Sequence, residues 1–105
     1  MTKLERDTQA AICDYLAIKH YFFWRSNNTP IFDSKRQIFR GMPKYALHGT
    51  PDIIVIHNGK FIGLECKSDK GKQSESQIEF QKGCIDAGGV YAIVRSIEDV
   101  QAIGL

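Results

Sequence analysis

Two different spacings of apolar and polar residues divide this chain into predicted helices and strands. Apolar residues recur at helical spacing from about Leu4 to Lys19 and again from about Ser74 to Ala87. Short runs rich in β-branched and aromatic residues predict strands. The predicted strands are 21–26, 52–57, 60–67 and 90–95. With a short helix after Ser96, the order is αβββαβα, which favours an α/β fold with a mixed sheet and helices on both faces.

The first predicted helix has one apolar and one polar face. Its predicted buried positions are Leu4, Ala11, Ile12, Tyr15 and Leu16. Glu5 and Gln9 fall at the border with solvent, from which Glu5 could reach the edge of the sheet. An acid in a first helical turn also interacts favourably with the helix dipole. The position of Glu5 alone therefore leaves a structural role open.

The strongest local signal is the Asn58-Gly59 pair between two apolar runs. Both residues tolerate the positive φ that a type I′ turn requires, so the pair predicts a β-hairpin with a two-residue loop. Facing residues then lie at equal distances from the turn, which places Asp52 opposite Glu65. A β-bulge would shift this register by one residue.

The predicted register makes Asp52 and Glu65 direct cross-strand neighbours, an arrangement in which like charges destabilise a sheet. Lys67 shares their face but leaves the group with a net negative charge. Since Mg²⁺ typically binds one or two carboxylates together with waters and phosphate oxygens, the pattern predicts a metal site. The alternative is structural, with Asp52 as a turn acid and Glu65 and Lys67 as an exposed ion pair. Apolar residues on both faces of the hairpin favour covered strands, where buried acids need partners.

The composition, 43% hydrophobic and 25% charged over 105 residues, fits a single globular domain spanning 1–105. The formal net charge of +2 is too small to indicate nucleic-acid binding by itself. Three widely spaced cysteines indicate reduced thiols, and no spacing between cysteines and histidines matches a zinc site. Without an apolar leader or a run near the ~20 residues of a membrane span, the sequence predicts a cytosolic protein that does not contact membranes.

From Pro51-Asp52 through the hairpin to Glu65-Cys66-Lys67, the chain resembles the PD-(D/E)xK nuclease signature. It is similar in particular to the virus-type replication-repair (VRR-NUC) branch, and the resemblance covers nearly the whole chain. Further matching positions are Glu5, Phe23-Trp24-Arg25-Ser26-Asn27, Gly49-Thr50, Gly71, Ser74-Glu75-Ser76-Gln77 and Gly88-Gly89-Val90. The resemblance implies a restriction-endonuclease-like core, αβββαβ with a short C-terminal helix, in a short stand-alone nuclease of phage or bacterial type.

The resemblance also implies metal-dependent hydrolysis of phosphodiester bonds. Asp52, Glu65 and the backbone carbonyl of Cys66 would bind Mg²⁺, for which Mn²⁺ can substitute. Glu5 would reach a second ion or a metal-bound water, with Asp7 as the competing candidate. No small-molecule cofactor is expected.

Two further side chains have catalytic roles under this resemblance. Lys67 would orient the attacking water or stabilise the transition state. Gln77 would lie at the mouth of the metal site and hold the water or a phosphate oxygen. Ser74 and Gln77 also have capping-box spacing, as do Ser76 and Glu79, so a purely structural explanation of this segment is adequate.

The connection from Asn27 to Gly49 exceeds 20 residues, which indicates a functional loop or undetected short elements. Basic residues within it and beside the predicted site are candidates for contacts with DNA phosphates, which position DNA without reading its sequence. These candidates are Arg25, Lys35, Arg36, Arg40, Lys44, Lys70 and Lys72. Solubility adequately explains any one of them, whereas a cluster beside a metal site favours binding.

The resemblance favours branched DNA as substrate. Short proteins of this branch are associated with homodimers that cut four-way (Holliday) junctions, since two-fold symmetry supplies two sites for two strands. A monomeric flap or nicking nuclease of DNA repair would share every catalytic residue. An alternative that is not an enzyme is a non-catalytic DNA-binding module, and the presence of Asp52, Glu65 and Lys67 argues against it. A restriction-like enzyme would normally need more chain for base readout.

Overall fold

The computed structural model describes residues 2–26, 32–33, 38–39 and 44–105 of the chain. The elements in chain order are α1 (Lys3–Ile18), β1 (Phe22–Arg25), β2 (Phe32–Asp33), β3 (Ile38–Phe39), β4 (Ile53–His57), β5 (Lys60–Cys66), α2 (Glu75–Asp86), β6 (Val90–Val94) and α3 (Ile97–Ala102). Strands β1, β4, β5 and β6 form a four-stranded sheet in that order. The pairs β1–β4 and β4–β5 are antiparallel and β5–β6 is parallel, so the protein is of the mixed α/β class. None of the helices described is both long and apolar enough to cross a membrane.

The predicted helices and strands of the main sheet are confirmed, each with ends within one residue of the expected position. The predicted order αβββαβα lacks β2 and β3, which pair with each other inside the long connection, so the expectation of undetected short elements there is confirmed. Each of these strands has only two residues, which is too short for an alternating pattern to identify it.

The β4–β5 hairpin has the register predicted from the Asn58-Gly59 pair. The φ angles of Asn58 and Gly59 are 54° and 76°, as a type I′ turn requires. The register stays constant over five pairs, from His57–Lys60 at the turn to Ile53–Leu64 at the far end. Asp52 and Glu65 come directly after that last pair.

Helices α1 and α3 cover one face of the main sheet and enclose the hydrophobic core. The core residues are Ile12, Leu16, Ile53, Val55, Ile62, Leu64, Cys66, Val94, Val100 and Leu105. Burying a large aliphatic side chain contributes roughly 1.5–3 kcal/mol, so this cluster is the main source of stability. The hydroxyl groups of Tyr15 and Tyr21 both donate hydrogen bonds to the carbonyl oxygen of Leu105, at 2.7 and 2.8 Å, which hold the end of the chain against this layer.

Helix α1 is rotated about its axis relative to the prediction. Leu4 is 68% exposed and Ala11 is exposed, so both were wrongly predicted as buried. Gln9, predicted at the border, is only 3% exposed. The buried line runs through positions 9, 12 and 16 with the i, i+3, i+7 spacing of one helix face. Glu5 lies one turn before Gln9 on that line, so the rotation brings Glu5 toward the sheet.

Helix α2 covers the opposite face of the sheet. Because side chains alternate along a strand, Glu65 points away from the face occupied by Leu64 and Cys66. Phe80 of α2 packs there against Tyr91 of β6, with ring centroids 6.0 Å apart. The predicted covering of the sheet on both faces is therefore confirmed.

Candidate functional site

Asp52 and Glu65 meet at the end of the hairpin opposite its turn. Asp52 directly precedes β4, and its Oδ2 accepts a hydrogen bond of 2.9 Å from the backbone N–H of Cys66. Glu65 lies on β5 and is 3% exposed. The two residues follow the last pair of the hairpin on facing strands, and, after burial, the charge of Asp52 acts on the carboxyl group of Glu65 and raises its pKa. The juxtaposition of the two acids that the hairpin predicts is thus present.

The electrostatics of the pair follow from the burial of Glu65. Burial, followed by the charge of Asp52, raises the pKa of Glu65 to about 8. Lys67 opposes the rise, with its Nζ 3.7 Å from Oε2 of Glu65. One lysine does not neutralise two adjacent carboxylates, so at neutral pH the pair retains a proton unless a cation takes its place.

Gln77 joins helix α2 to Glu65. Its Nε2 donates a hydrogen bond of 3.0 Å to Oε2 of Glu65. Its Oε1 accepts a hydrogen bond of 2.9 Å from the backbone N–H of Ser74. The hydroxyl of Ser74 in turn accepts from the backbone N–H of Gln77, which completes a capping box with Ser74 as the N-cap. The predicted Ser74–Gln77 capping box is therefore confirmed, and the same amide contacts the acid pair.

Of the two candidate acids on α1, Glu5 lies near the site. A Cβ atom added to Gly71 would be 3.3 Å from Oε1 of Glu5 and 3.3 Å from two side-chain carbons of Lys67. Glu5 and Lys67 thus both lie beside Gly71. After burial and Asp52, the charge of Glu5 contributes to the raised pKa of Glu65. Asp7 is exposed and lines a separate hollow with residues 95–98, so the geometry favours Glu5.

The oxygen atoms of this site suit a hard divalent cation. Oε1 of Glu65 is buried and has no hydrogen-bond partner among the described residues, a condition that costs roughly 1–3 kcal/mol or more for a polar atom. No group of three or more His, Cys, Asp or Glu side chains in the described part of the chain is arranged to hold a metal. The protein would then supply two carboxylates, with water completing the coordination, which is the usual pattern for Mg²⁺. Asp52 and Glu65 therefore fit Mg²⁺ or Mn²⁺.

The thiol of Cys66 does not belong to this donor set. Cys66 is 1% exposed and packs in the core beneath α1. Burial raises the pKa of the Cys66 thiol, and the charges of Asp52 and Glu65 raise it further, so the thiol stays protonated. Cys13, Cys66 and Cys84 are all free, which confirms the predicted reduced thiols. Of the atoms of Cys66, only the backbone carbonyl oxygen remains a predicted metal ligand.

The predicted DNA-contacting residues are described only in part. Lys35, Arg36 and Arg40 lie outside the described residues. Arg25 is exposed at the end of β1. The next residue, Ser26, donates its backbone N–H to the carbonyl oxygen of Asp52 at 2.8 Å, which brings the end of β1 to Asp52. Arg25 itself pairs with Ile53, so its side chain lies on the face of the sheet opposite that of Glu65.

The remaining predicted cations lie on two loops. Lys70 and Lys72 are exposed and flank Gly71, the residue against which Glu5 lies. Lys44 is also exposed, and its Nζ lies 5.1 Å from the ring centroid of Tyr45. Lys70 and Lys72 are thus beside the site, whereas Lys44 contacts the aromatic ring of Tyr45.

Arg95 was missed by the sequence analysis. Its Nη2 donates a hydrogen bond of 2.9 Å to the carbonyl oxygen of Gly71, which fixes the loop after β5. The backbone N–H of Lys67 also donates to the carbonyl oxygen of Val94 at 3.1 Å. Because β5 and β6 are parallel, their C-terminal ends lie side by side at the same end of the sheet. Predicting this pairing would have placed Arg95, which follows β6, beside the loop after β5.

Tyr91 was also missed. It pairs with Gly63 on the face that carries Glu65, and its hydroxyl is buried without a hydrogen-bond partner among the described residues. Burial raises the pKa of Tyr91 to about 12, and the charge of Glu65 adds to the rise. Tyr91 is therefore part of the wall that limits water access to Glu65.

An apolar groove of about 640 Å³ lies elsewhere, beside α2. Its lining includes Leu47, Phe61, Phe80 and Cys84, but neither Asp52 nor Glu65. The groove thus has no contact with the acid pair, and the chemistry of the site does not depend on it.

Comparison of the chain with protein-family models gives no match, and comparison with curated proteins finds none similar to it. Fold and site define a mixed α/β protein with an acidic pair, a lysine and a glutamine at one end of a hairpin. Its function must therefore be argued from the chemistry of these side chains.

Proposed function

We propose that this protein is a metal-dependent DNA endonuclease of the PD-(D/E)xK superfamily, in its VRR-NUC branch. The observation that carries the proposal is the position of Asp52 and Glu65 on facing strands at the end of the hairpin, with Lys67 and Gln77 both in contact with Glu65. Two adjacent carboxylates, one of them buried, destabilise a fold unless a cation or a proton accompanies them. A metal-binding function explains why the chain places them together.

The topology supports the same proposal. A helix precedes a mixed sheet in which the hairpin carries the two acids, and a parallel strand lies beside the acidic strand β5. The resemblance implies this arrangement for the nuclease core. The antiparallel hairpin brings the loop after β5, with Lys67, to the end of the sheet where Asp52 lies.

Asp52 and Glu65 would hold Mg²⁺ or Mn²⁺, together with the backbone carbonyl of Cys66. Such an ion, when bound, lowers the pKa of a coordinated water and neutralises charge on the phosphoryl oxygens. The N–H of Cys66 fixes one oxygen of Asp52 at 2.9 Å, so this carboxylate is oriented before any substrate arrives. Preorganisation of this kind reduces the reorganisation needed during the reaction.

Lys67 supplies the positive charge of the site. Its side chain is 13% exposed, so its ammonium group reaches both Glu65 and the site surface. An ammonium group in this position donates hydrogen bonds to the attacking water or to a phosphoryl oxygen and stabilises the charge that develops in the transition state.

Gln77 orients Glu65. Its hydrogen bond to Oε2 leaves Oε1 of Glu65, the unpartnered atom, as the oxygen that would contact the ion. The amide nitrogen of Gln77 has a second N–H, which is the group that would hold the attacking water or a phosphate oxygen. Gln77 is thus a positioning residue through Glu65 and, with its second N–H, a candidate for substrate contact.

For the substrate, we propose branched DNA, with resolution of four-way junctions by a homodimer as the leading assignment. Two active sites related by two-fold symmetry would cut the two strands of a junction in paired positions. A monomeric flap or nicking nuclease would use the same residues on a single strand. A non-catalytic DNA-binding module would bind DNA and leave it intact.

One assay separates these functions. End-labelled four-way junction, flap and linear duplex DNA are incubated with Mg²⁺ or Mn²⁺ and either the wild type or Glu65→Gln. We expect paired cuts in the junction by the wild type and none by the variant. Preference for flap DNA would support metal-dependent nuclease activity but contradict junction resolution by a symmetric homodimer. Intact DNA under all conditions, or equal cutting by the variant, would contradict the proposed nuclease.

A further inference from the structure

A group of basic residues lies on one exposed stripe of α1. Lys3, Arg6, Asp7 and Ala10 follow the i, i+3, i+4, i+7 spacing of a single helix face. Together with Arg25 of β1 they line a hollow of about 490 Å³. We call this hollow the α1–β1 hollow. It is formed by two elements distant in sequence, so local chain composition does not account for it.

The α1–β1 hollow meets the proposed metal site at the end of β1. Arg25 is the last residue of β1, and the residue after it, Ser26, donates its backbone N–H to the carbonyl oxygen of Asp52. On the helix, Glu5 lies in the same turn as Lys3 and Arg6 but on the buried line, whereas the basic residues lie on the exposed side. A ligand that occupies the hollow therefore approaches Asp52 from the end of β1.

The hollow concentrates positive charge. Lys3, Arg6 and Arg25, with Asp7 as the single acid, give it a formal charge of +2, which equals the net charge of the whole chain. The other charges of the chain therefore cancel. The three cations are exposed, and none forms an ion pair with another described residue. Solubility requires exposed charge, but it does not require three cations around one concave surface without an ion-pair partner among the described residues.

We propose that Lys3, Arg6 and Arg25 bind the phosphate backbone of the nucleic-acid substrate and place one arm of it along α1. This inference rests on the proposed nuclease function. Guanidinium groups bind phosphate through paired hydrogen bonds, and the N-terminal turn of α1 adds the favourable end of the helix dipole. Contacts of this kind position the substrate without reading its sequence. With Lys70 and Lys72 on the loop after β5, cations would flank the acid pair on two sides.

The test compares two triple variants that remove the same charge from different places. The first is Lys3→Gln/Arg6→Gln/Arg25→Gln. The control is Lys19→Gln/Lys60→Gln/Lys82→Gln, at three exposed lysines on the C-cap of α1, in the first residue of β5 and on α2. Binding of labelled four-way junction DNA is measured by fluorescence anisotropy in EDTA, from about 50 to about 200 mM salt.

For the first variant we expect binding about tenfold or more weaker than that of the wild type. The plot of log Kobs against log salt concentration should become less steep by about two to three, because each phosphate that is no longer neutralised reduces the slope by close to one. The control should change this slope by less than about one. Equal changes in both triples, or an unchanged slope in the first, would overturn the inference.

Failure of the proposed function is distinguishable from failure of this inference. A wild type that binds no DNA would contradict both the proposed nuclease function and phosphate binding at the α1–β1 hollow. If the wild type binds and cuts DNA while the first variant keeps the wild-type salt slope, only phosphate binding at the hollow is contradicted. Should the triple variant fail to fold, the single changes at Lys3, Arg6 and Arg25 are each expected to reduce the slope by about one.

Discussion

Gln77 donates a hydrogen bond from Nε2 to Oε2 of Glu65 at 3.0 Å, while its Oε1 closes the capping box of helix α2. The amide therefore has two fixed partners, one at the start of a helix and one in the acid pair. A capping residue is held in place by the helix it caps, so the helix start determines the position of the Glu65 carboxylate. Stability and site geometry are coupled at this one side chain.

Replacing Gln77 should separate these two roles when it is compared with its capping partner. Gln77→Ala removes the hydrogen bond to Glu65 and half of the capping box. Ser74→Ala removes the other half of the capping box and the contact with the Ser76 hydroxyl, but no hydrogen bond to Glu65. Each change should lower the free energy of unfolding by roughly 1 kcal/mol. Only Gln77→Ala should also reduce the rate of metal-dependent cleavage, by about tenfold or more, because Glu65 loses its orienting donor.

Chemical denaturation and cleavage assays on these two variants measure both effects. Equal cleavage rates for Gln77→Ala and Ser74→Ala would show that the contact with Glu65 has no role beyond helix stability.

The stability of the metal-free protein should fall as pH rises. The unfolded chain releases the Glu65 proton near the ordinary pKa of 4.5, but in the folded protein burial raises the pKa of this group to about 8. Between these values the folded state binds more protons than the unfolded state, so the free energy of unfolding decreases with increasing pH. The total decrease, complete by about pH 9, is a few kcal/mol at most.

Denaturant titrations in EDTA at several pH values test this expectation, with Glu65→Gln as the control. The variant cannot titrate at this position, so its stability should change less between about pH 5 and pH 9 and should exceed that of the wild type at the upper end. A wild type whose stability depends on pH in the same way as that of the variant would contradict the raised pKa.

Gly49 is required where the chain approaches α2. Its φ is 76°, and a Cβ atom at this position would overlap the backbone carbonyl of Ser76. Gly49→Ala should therefore lower the free energy of unfolding by about 2–4 kcal/mol, because backbone strain and a steric clash occur together. Gly83→Ala is the matched control, since Gly83 lies within α2 with no atom near an added Cβ.

The control should raise stability by roughly 0.5–1 kcal/mol, the usual gain from alanine in a helix interior. Thermal or denaturant unfolding of both variants gives the comparison. A neutral effect of Gly49→Ala would show that the connection before Asp52 moves easily, contrary to the close packing on α2.

The predictions from sequence succeeded where local chemistry fixes geometry. The Asn58-Gly59 turn determines the register of the β4–β5 hairpin, and the register places Asp52 beside Glu65. The capping-box spacing of Ser74 and Gln77 likewise marks the start of α2, although Ser76 and Glu79 have the same spacing and only the structure identifies Ser74 as the N-cap. Short segments therefore contain most of the information for both features.

The failures concern features set by tertiary packing. Leu4 is exposed and Gln9 buried because α1 is rotated against the sheet, and helical periodicity alone does not fix that rotation. Arg95 reaches Gly71 only because β6 lies parallel to β5, a pairing between segments far apart in sequence. The strands β2 and β3 are too short to leave a pattern.

The central claim is that Asp52 and Glu65 bind a divalent cation, and the electron paramagnetic resonance signal of free Mn²⁺ measures this most directly. Titrated at about pH 8, where both carboxylates are available to the ion, the wild type should reduce the free Mn²⁺ signal. Asp69→Asn, at an exposed acid on the loop after β5, should reduce it equally. Asp52→Asn and Glu65→Gln should leave it unchanged. A wild type that binds no Mn²⁺ at millimolar concentration, or a Glu65→Gln variant that binds as much as the wild type, would contradict the claim.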